Sequence, residues 1–153
     1  RQRLRDWVAA SGTPLDREII EECKRSGKHP KFDRPFPEGV EYFQFEDWQE
    51  AVKGADFVIG GVSSFGVDWF LNEVLAYLDP AMPVLSVTKG LINHEDGTLI
   101  SYPAYWKTEL LKNGIRREVN AIGGPCTSYE LVFHDQTEVA FCGKDTAVIN
   151  IMI

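Results

Sequence analysis

Ala55-Asp56-Phe57-Val58-Ile59-Gly60-Gly61-Val62-Ser63-Ser64 decides the fold, together with Val84-Leu85-Ser86-Val87-Thr88-Lys89-Gly90 some twenty-five residues on. Each is a short, nearly continuous apolar run that ends abruptly in small or polar residues. A strand buried on both faces reads this way, because neither face is left for alternating polar side chains. Between them, Phe65 to Leu78 places Phe70, Leu71, Val74, Leu75 and Leu78 at helical spacing, and Asp79-Pro80 ends the pattern. Two buried strands joined by a helix make a βαβ unit. Ligands of such open sheets sit beyond the carboxyl ends of the strands. Function is therefore expected first at Ser63-Ser64 and Thr88-Lys89-Gly90.

Outward from this unit the alternation continues. Thr13 reads as the N-cap and Pro14 as the first residue of a helix carrying Leu15, Ile19, Ile20 and Cys23, stopped by Gly27. Glu18, Glu21 and Glu22 form its polar face. Residues 28–39 make a Pro-rich loop, Val40 to Phe45 alternates as a strand, and Asp47 caps a short helix through Val52. Beyond Gly90, Asp96-Gly97 predicts a turn in a small excursion, and Tyr102 to Asn113 a helix closed by Gly114. Val119 to Gly123 and Thr137 to Cys142 read as further strands, residues 126–132 as a helix start, and Asp145 as the cap of a last helix. Arg1 to Ala10 has no clear pattern, although a strand end falls near Leu4 to Asp6. Strands alternating with helices mean α/β, here a doubly wound, mostly parallel sheet.

Composition narrows the function. The 153 residues are 44% hydrophobic and 25% charged, as in an ordinary globular domain. A net charge of -7 excludes a general nucleic-acid binder, which needs a basic stripe to displace counterions. No apolar run is long enough to span a membrane. Cys23, Cys126 and Cys142 are odd in number and widely spaced, so neither a disulfide scaffold nor a zinc site is expected, and a reduced, cytoplasmic setting is. His29, His94 and His134 show no metal-ligand spacing. Trp48, Trp69 and Trp106 fall on helices, where packing is the expected role.

Two segments carry chemistry. Lys89, just past a buried strand and followed by Gly90, can aim an ammonium at the crevice toward a phosphate, carboxylate or polarised carbonyl; a solvated loop lysine is the plain alternative. Gly123-Gly124-Pro125-Cys126-Thr127-Ser128 follows a strand and opens a helix, where free N–H groups favour anions; a simple strand-to-helix turn is the alternative. Cys126 has no histidine near it in sequence that would make it a nucleophile. No GxGxxG, the usual pyrophosphate cradle, occurs.

With these residues in view, the chain resembles the cofactor-binding domain of the NAD(P)-dependent glycerol-3-phosphate dehydrogenases, from about Leu4 to the end. Lys28-His29-Pro30-Lys31-Phe32 is similar to the family's Asn-Pro-Lys/Arg-Tyr loop, and Glu50-Ala51-Val52-Lys53-Gly54-Ala55-Asp56 to its lead into a central strand. Val62-Ser63-Ser64 stands at Val-Pro-Ser, Ser86-Val87-Thr88-Lys89-Gly90 at the Lys-Gly segment, and Gly124-Pro125-Cys126 with Glu130 at Gly-Pro-Ser and its following glutamate. The resemblance implies a Rossmann-like fold and reversible hydride transfer between NAD or NADP and dihydroxyacetone phosphate or glycerol 3-phosphate, a step of glycerophospholipid metabolism. It implies that Lys89 is catalytic and touches substrate and cofactor. Gly124 and Cys126 would then line the substrate site, and Ser64 and Ser128 the cofactor site, with no metal.

It implies further that a first strand with its glycine loop precedes Arg1. A helical catalytic domain bearing a general acid/base lysine would follow Ile153, so that residues 1–153 are a partial dinucleotide-binding domain, inactive alone. Cys126 stands where the family has serine. An incomplete sheet would expose an edge to a partner, a second copy in a homodimer included. Arg5 is a candidate for a 2′-phosphate, with a surface role as its alternative. Two other readings stay open: a Rossmann dehydrogenase for another hydroxy acid or a sugar acid, and a non-catalytic binding module.

Overall fold

The computed structural model describes residues 14–133 and 136–152. Arg5, the segment Leu4 to Asp6, the Thr13 cap and His134 lie outside them. The chain divides into two compact units, residues 1–55 and 56–153.

In the first unit α1 (Pro14–Ser26) buries Ile20 and Cys23 and turns Glu21 and Glu22 to Lys24 and Arg25. Gly27, at φ 67°, closes it by donating its N–H to the Cys23 carbonyl at 2.8 Å. The strand expected over Val40 to Phe45 is absent: the segment has no β partner among the described residues. Its buried residue is polar. The Gln44 side-chain amide donates to the Arg17 carbonyl at 3.2 Å and to Glu21 Oε1 at 2.7 Å. Those bonds tie the segment to α1 by a side chain, where a strand would use its backbone. A 3-10 turn (Phe45–Asp47) then leads into α2 (Trp48–Ala51), and Asp47 makes no side-chain capping bond.

The second unit holds the sheet. Strands β1 (Val58–Gly60), β2 (Val84–Ser86), β5 (Asn120–Gly123) and β6 (Ala140–Cys142) lie in the order β1-β2-β5-β6. The first three are parallel, and β6 runs antiparallel to β5. Val58 pairs with Val84 and Gly60 with Ser86, so the two apolar runs that set the fold end side by side. A separate hairpin, β3 (Leu91–Asn93) and β4 (Leu99–Ser101), turns at Gly97 (φ 81°), with the Asp96 carboxylate accepting the Thr98 N–H at 2.8 Å.

The connection from β1 to β2 is helical but not uniform. A 3-10 turn (Ser64–Gly66) leads into α3 (Val67–Phe70), and a π turn (Leu71–Leu75) follows, carrying the Ala76 N–H to the Leu71 carbonyl. Phe70, Leu71, Val74, Leu75 and Leu78 all face the core, as their spacing requires. Against them packs α4 (Tyr102–Lys112), whose Trp106 is fully buried, edge-on to Phe70 at 5.4 Å. Its indole N–H donates to the Val67 carbonyl at 3.0 Å, which satisfies the one polar atom such a side chain brings inside. Gly114 (φ 78°) and Ile115 return their N–H groups to Leu111 and Leu110, ending α4 in a Schellman motif. The buried Arg117 donates to the carbonyls of Leu78 and Met82 at 2.7 Å each, and to that of Asp79. α5 (Ser128–Phe133) follows β5, and α6 (Thr146–Met152) starts with the Val148 N–H bonded to the Asp145 carboxylate.

A candidate ligand site at the strand ends

The carboxyl ends of β1, β2 and β5 bring together most of the residues singled out in the sequence. β1 leads through Gly61-Val62 to Ser63, Ser64 and Phe65, all exposed, and Phe65 is 97% exposed. β2 leads to Thr88, Lys89 and Gly90. β5 leads to Gly124, Pro125 and Cys126.

Lys89 joins two of these ends. Its Nζ donates to the Gly124 carbonyl at 2.7 Å and the Cys126 carbonyl at 2.6 Å, and lies 3.2 Å from Cys126 Sγ. An ammonium has three hydrogens, and here each has an acceptor. The sequence placed the ammonium in an open crevice; the fold turns it onto the loop after β5. Sulfur is the weakest of the three acceptors, so that direction is the easiest for a ligand oxygen to take over.

The backbone at both ends of this bridge admits only glycine. Gly90, at φ 150°, faces the Tyr102 ring, and a Cβ would stand 2.6 Å from it. Gly124, at φ 116°, packs on the extended segment just before β6, where a Cβ would meet the Glu138 carbonyl oxygen at 2.9 Å. The lysine therefore spans two rigid supports.

The helix start after β5 differs from the expectation of free N–H groups. Glu130 Oε2 accepts the Thr127 N–H at 2.5 Å, and Thr127 Oγ1 accepts the Glu130 N–H at 3.3 Å. This is a capping box, with the carboxylate standing where an anion would have to bind. The Thr-x-x-Glu spacing of Thr127 and Glu130 is the sequence signature of this box, and the expectation of free N–H groups overlooks it. Ser128 opens α5 one residue into this arrangement. Two other features also escaped the sequence reading. The exposed Phe65 looks, in sequence, like one more apolar residue of a helix. The Thr88 hydroxyl donates to the Val62 carbonyl at 2.7 Å, a bond across 26 residues that no local pattern announces.

Among the described residues no group of His, Cys, Asp and Glu is placed to hold a metal, and no helix is long and apolar enough to cross a membrane.

An open, mostly parallel α/β sheet, with polar side chains and glycine turns gathered at its strand ends, is a Rossmann-like domain. Solved structures agree. Glycerol-3-phosphate dehydrogenase from Coxiella burnetii superposes with a TM-score of 0.72 at 16% identity, over 97% of this chain and 42% of that one. The enzyme from Saccharomyces cerevisiae gives 0.72 at 13% identity, over 94% and 42%. At these identities the likeness is one of fold.

The chain belongs to the family described as NAD-dependent glycerol-3-phosphate dehydrogenase N-terminus, whose model matches residues 5–149. It is 31% identical over 141 residues to the NADP(+)-dependent glycerol-3-phosphate dehydrogenase of Archaeoglobus fulgidus, across 92% of this chain and 41% of that protein. With the NAD(P)+ glycerol-3-phosphate dehydrogenase of Acidobacterium capsulatum it shares 29% identity over 132 residues, 84% of this chain and 38% of the relative. The chain thus spans about two fifths of the length of these relatives.

Proposed function

We propose that residues 1–153 are part of the dinucleotide-binding domain of an NAD(P)-dependent glycerol-3-phosphate dehydrogenase, whose remaining length completes the catalytic site. The carrying observation is the Lys89 bridge: an ammonium at the end of β2, held by Gly124 and Cys126 at the end of β5. A cation fixed there suits a phosphorylated three-carbon substrate or its developing alkoxide. Gly124 lets the backbone come close, and Cys126 presents its sulfur beside the ammonium.

NAD or NADP fits the residues present on one side. Exposed Ser63, Ser64 and Phe65 at the end of β1 offer hydroxyls and an aromatic face, and Ser128 stands at the start of α5. The nicotinamide, when bound, supplies the hydride chemistry between glycerol 3-phosphate and dihydroxyacetone phosphate. Lys89 then orients and polarises the substrate oxygen. Residues 1–153 contain no glycine cradle for the pyrophosphate, so that contact belongs to another part of the active protein. A cytoplasmic setting belongs to the same reading, supported by three free cysteines.

The test is oxidation of glycerol 3-phosphate by the intact protein that carries this chain, with NAD+ and NADP+ in parallel and other hydroxy acids and sugar acids as competitors. Turnover with glycerol 3-phosphate above the competitors is expected. Turnover confined to another hydroxy acid would overturn the substrate; none with any of them would overturn the enzyme reading.

A further inference from the structure

We infer that Thr88 is a positioning residue: its hydroxyl ties the cofactor-side loop after β1 to the backbone that carries Lys89. The names of the two sides rest on the function proposed above; the tie itself does not.

A hydroxyl has one hydrogen to give, and Thr88 gives it to the Val62 carbonyl at 2.7 Å. Val62 is the residue before Ser63-Ser64. The Thr88 N–H donates to Ser86 Oγ at 3.2 Å, and Ser86 is itself fully buried in β2. Thr88 is thus held from its own strand and holds the end of the neighbouring one. On the far side of Lys89, the Tyr102 ring closes off Gly90. The lysine backbone is bracketed on both sides, and from that base its side chain meets the two carbonyls of the loop after β5. A shift in the Val62–Ser64 loop would pull on Thr88 and so move the base of Lys89. Such a bond is one physical route by which occupancy of one side of a crevice biases the other.

Thr88→Val keeps the branched shape, removes the donor and leaves the Val62 carbonyl without it. Thr88→Ala removes the donor with less crowding, and Thr88→Ser restores it. The first readout, on the intact protein, is acylation of Lys89 by N-hydroxysuccinimidyl acetate, followed by peptide mass spectrometry with Lys144 as the internal reference. Loosening one hydrogen bond should speed Lys89 labelling about three- to tenfold in the Val and Ala variants, with Lys144 unchanged and Ser close to wild type. The proposal is overturned by wild-type labelling in both donor-less variants. Equal acceleration at Lys144 also overturns it, since the bond would then support the whole fold. So does a Ser variant that behaves like Val.

The second readout is steady-state kinetics. Val and Ala should raise KM for both cofactor and substrate, and Ser for neither; a change in neither KM overturns the coupling. A wild-type protein with no glycerol 3-phosphate turnover would sink the functional reading alone, because the labelling still decides the role of Thr88.

Discussion

Asn120 Oδ1 faces Gly143 so closely that a Cβ on the glycine would stand 1.7 Å from it. Asn120 is the first residue of β5, is 1% exposed, and its Oδ1 has no hydrogen-bond partner among the described residues. Gly143 follows β6, the strand paired with β5. The absent side chain at 143 is what lets the amide fit inside.

Gly143→Ala should therefore destabilise the protein by ~1–3 kcal/mol, the usual range for overpacking a core. Asn120→Ala in the same chain should recover much of that, because it removes the obstructing atom and a buried unpaired acceptor together. Thermal melts of the two single variants and the double variant check this. Strictly additive losses would rule out the contact.

Lys89→Ala should lower kcat/KM of the intact protein for glycerol 3-phosphate by roughly 10²–10³, the scale seen when one charge-stabilising donor is removed. Lys89→Arg should recover little, since a planar guanidinium cannot copy a point-like ammonium held by two carbonyls. Near-normal turnover in the Ala variant would remove Lys89 from the site.

How much of this was legible in the sequence follows from how far each signal reaches. Val58-Ile59 and Val84-Leu85 announced themselves as strands because a continuous apolar run leaves a local mark. Only Val84-Leu85 is buried on both faces as expected; Ile59 is 45% exposed, so β1 keeps one face open. Gly97, Gly114 and Asp145 stood out because turn and cap chemistry is confined to a few residues. Lys89 was legible as the lysine at one strand end, and Gly124 and Cys126 as part of the loop beyond another. That the ammonium bonds their carbonyls was hidden, because they lie 35 and 37 residues away. The Thr88 bond was hidden for the same reason. Val40 to Phe45 misled because alternation registers which residues are apolar, not whether a neighbouring strand is available to pair. Gln44, the polar residue in that run, is the one that the fold buries.

Trp106→Phe should cost about 1–3 kcal/mol, from the lost bond to the Val67 carbonyl and the volume left beside Phe70. Denaturant melts measure it. An unchanged midpoint would mean the indole N–H bond carries no net stability.

Tyr105 donates its hydroxyl to Asp68 Oδ1 at 2.7 Å, and the carboxylate beside it pushes the phenol up to about 12. The folded value lies above the usual tyrosine value near 10. The folded chain thus keeps this proton where the unfolded chain loses it. The contribution is complete below pH ~10 and is lost as pH rises through about 12. In Asp68→Asn the phenol should titrate closer to its ordinary value, read by ultraviolet difference absorbance against wild type. An unshifted titration would discount the carboxylate.

The π turn at Leu71–Leu75 makes the connection between β1 and β2 tolerant of a change in chain length. A π turn holds one residue more than the α-helical turn that would replace it. Removing one residue there converts the Leu71-to-Ala76 bond to ordinary α spacing and leaves the later turns in phase. The carbonyls of Leu78 and Asp79 then still meet Arg117. The same deletion a turn later, between Ala76 and Leu78, would rotate those carbonyls by about 100° and leave a buried guanidinium facing side chains. Gaps among related chains should gather at the first place and avoid the second.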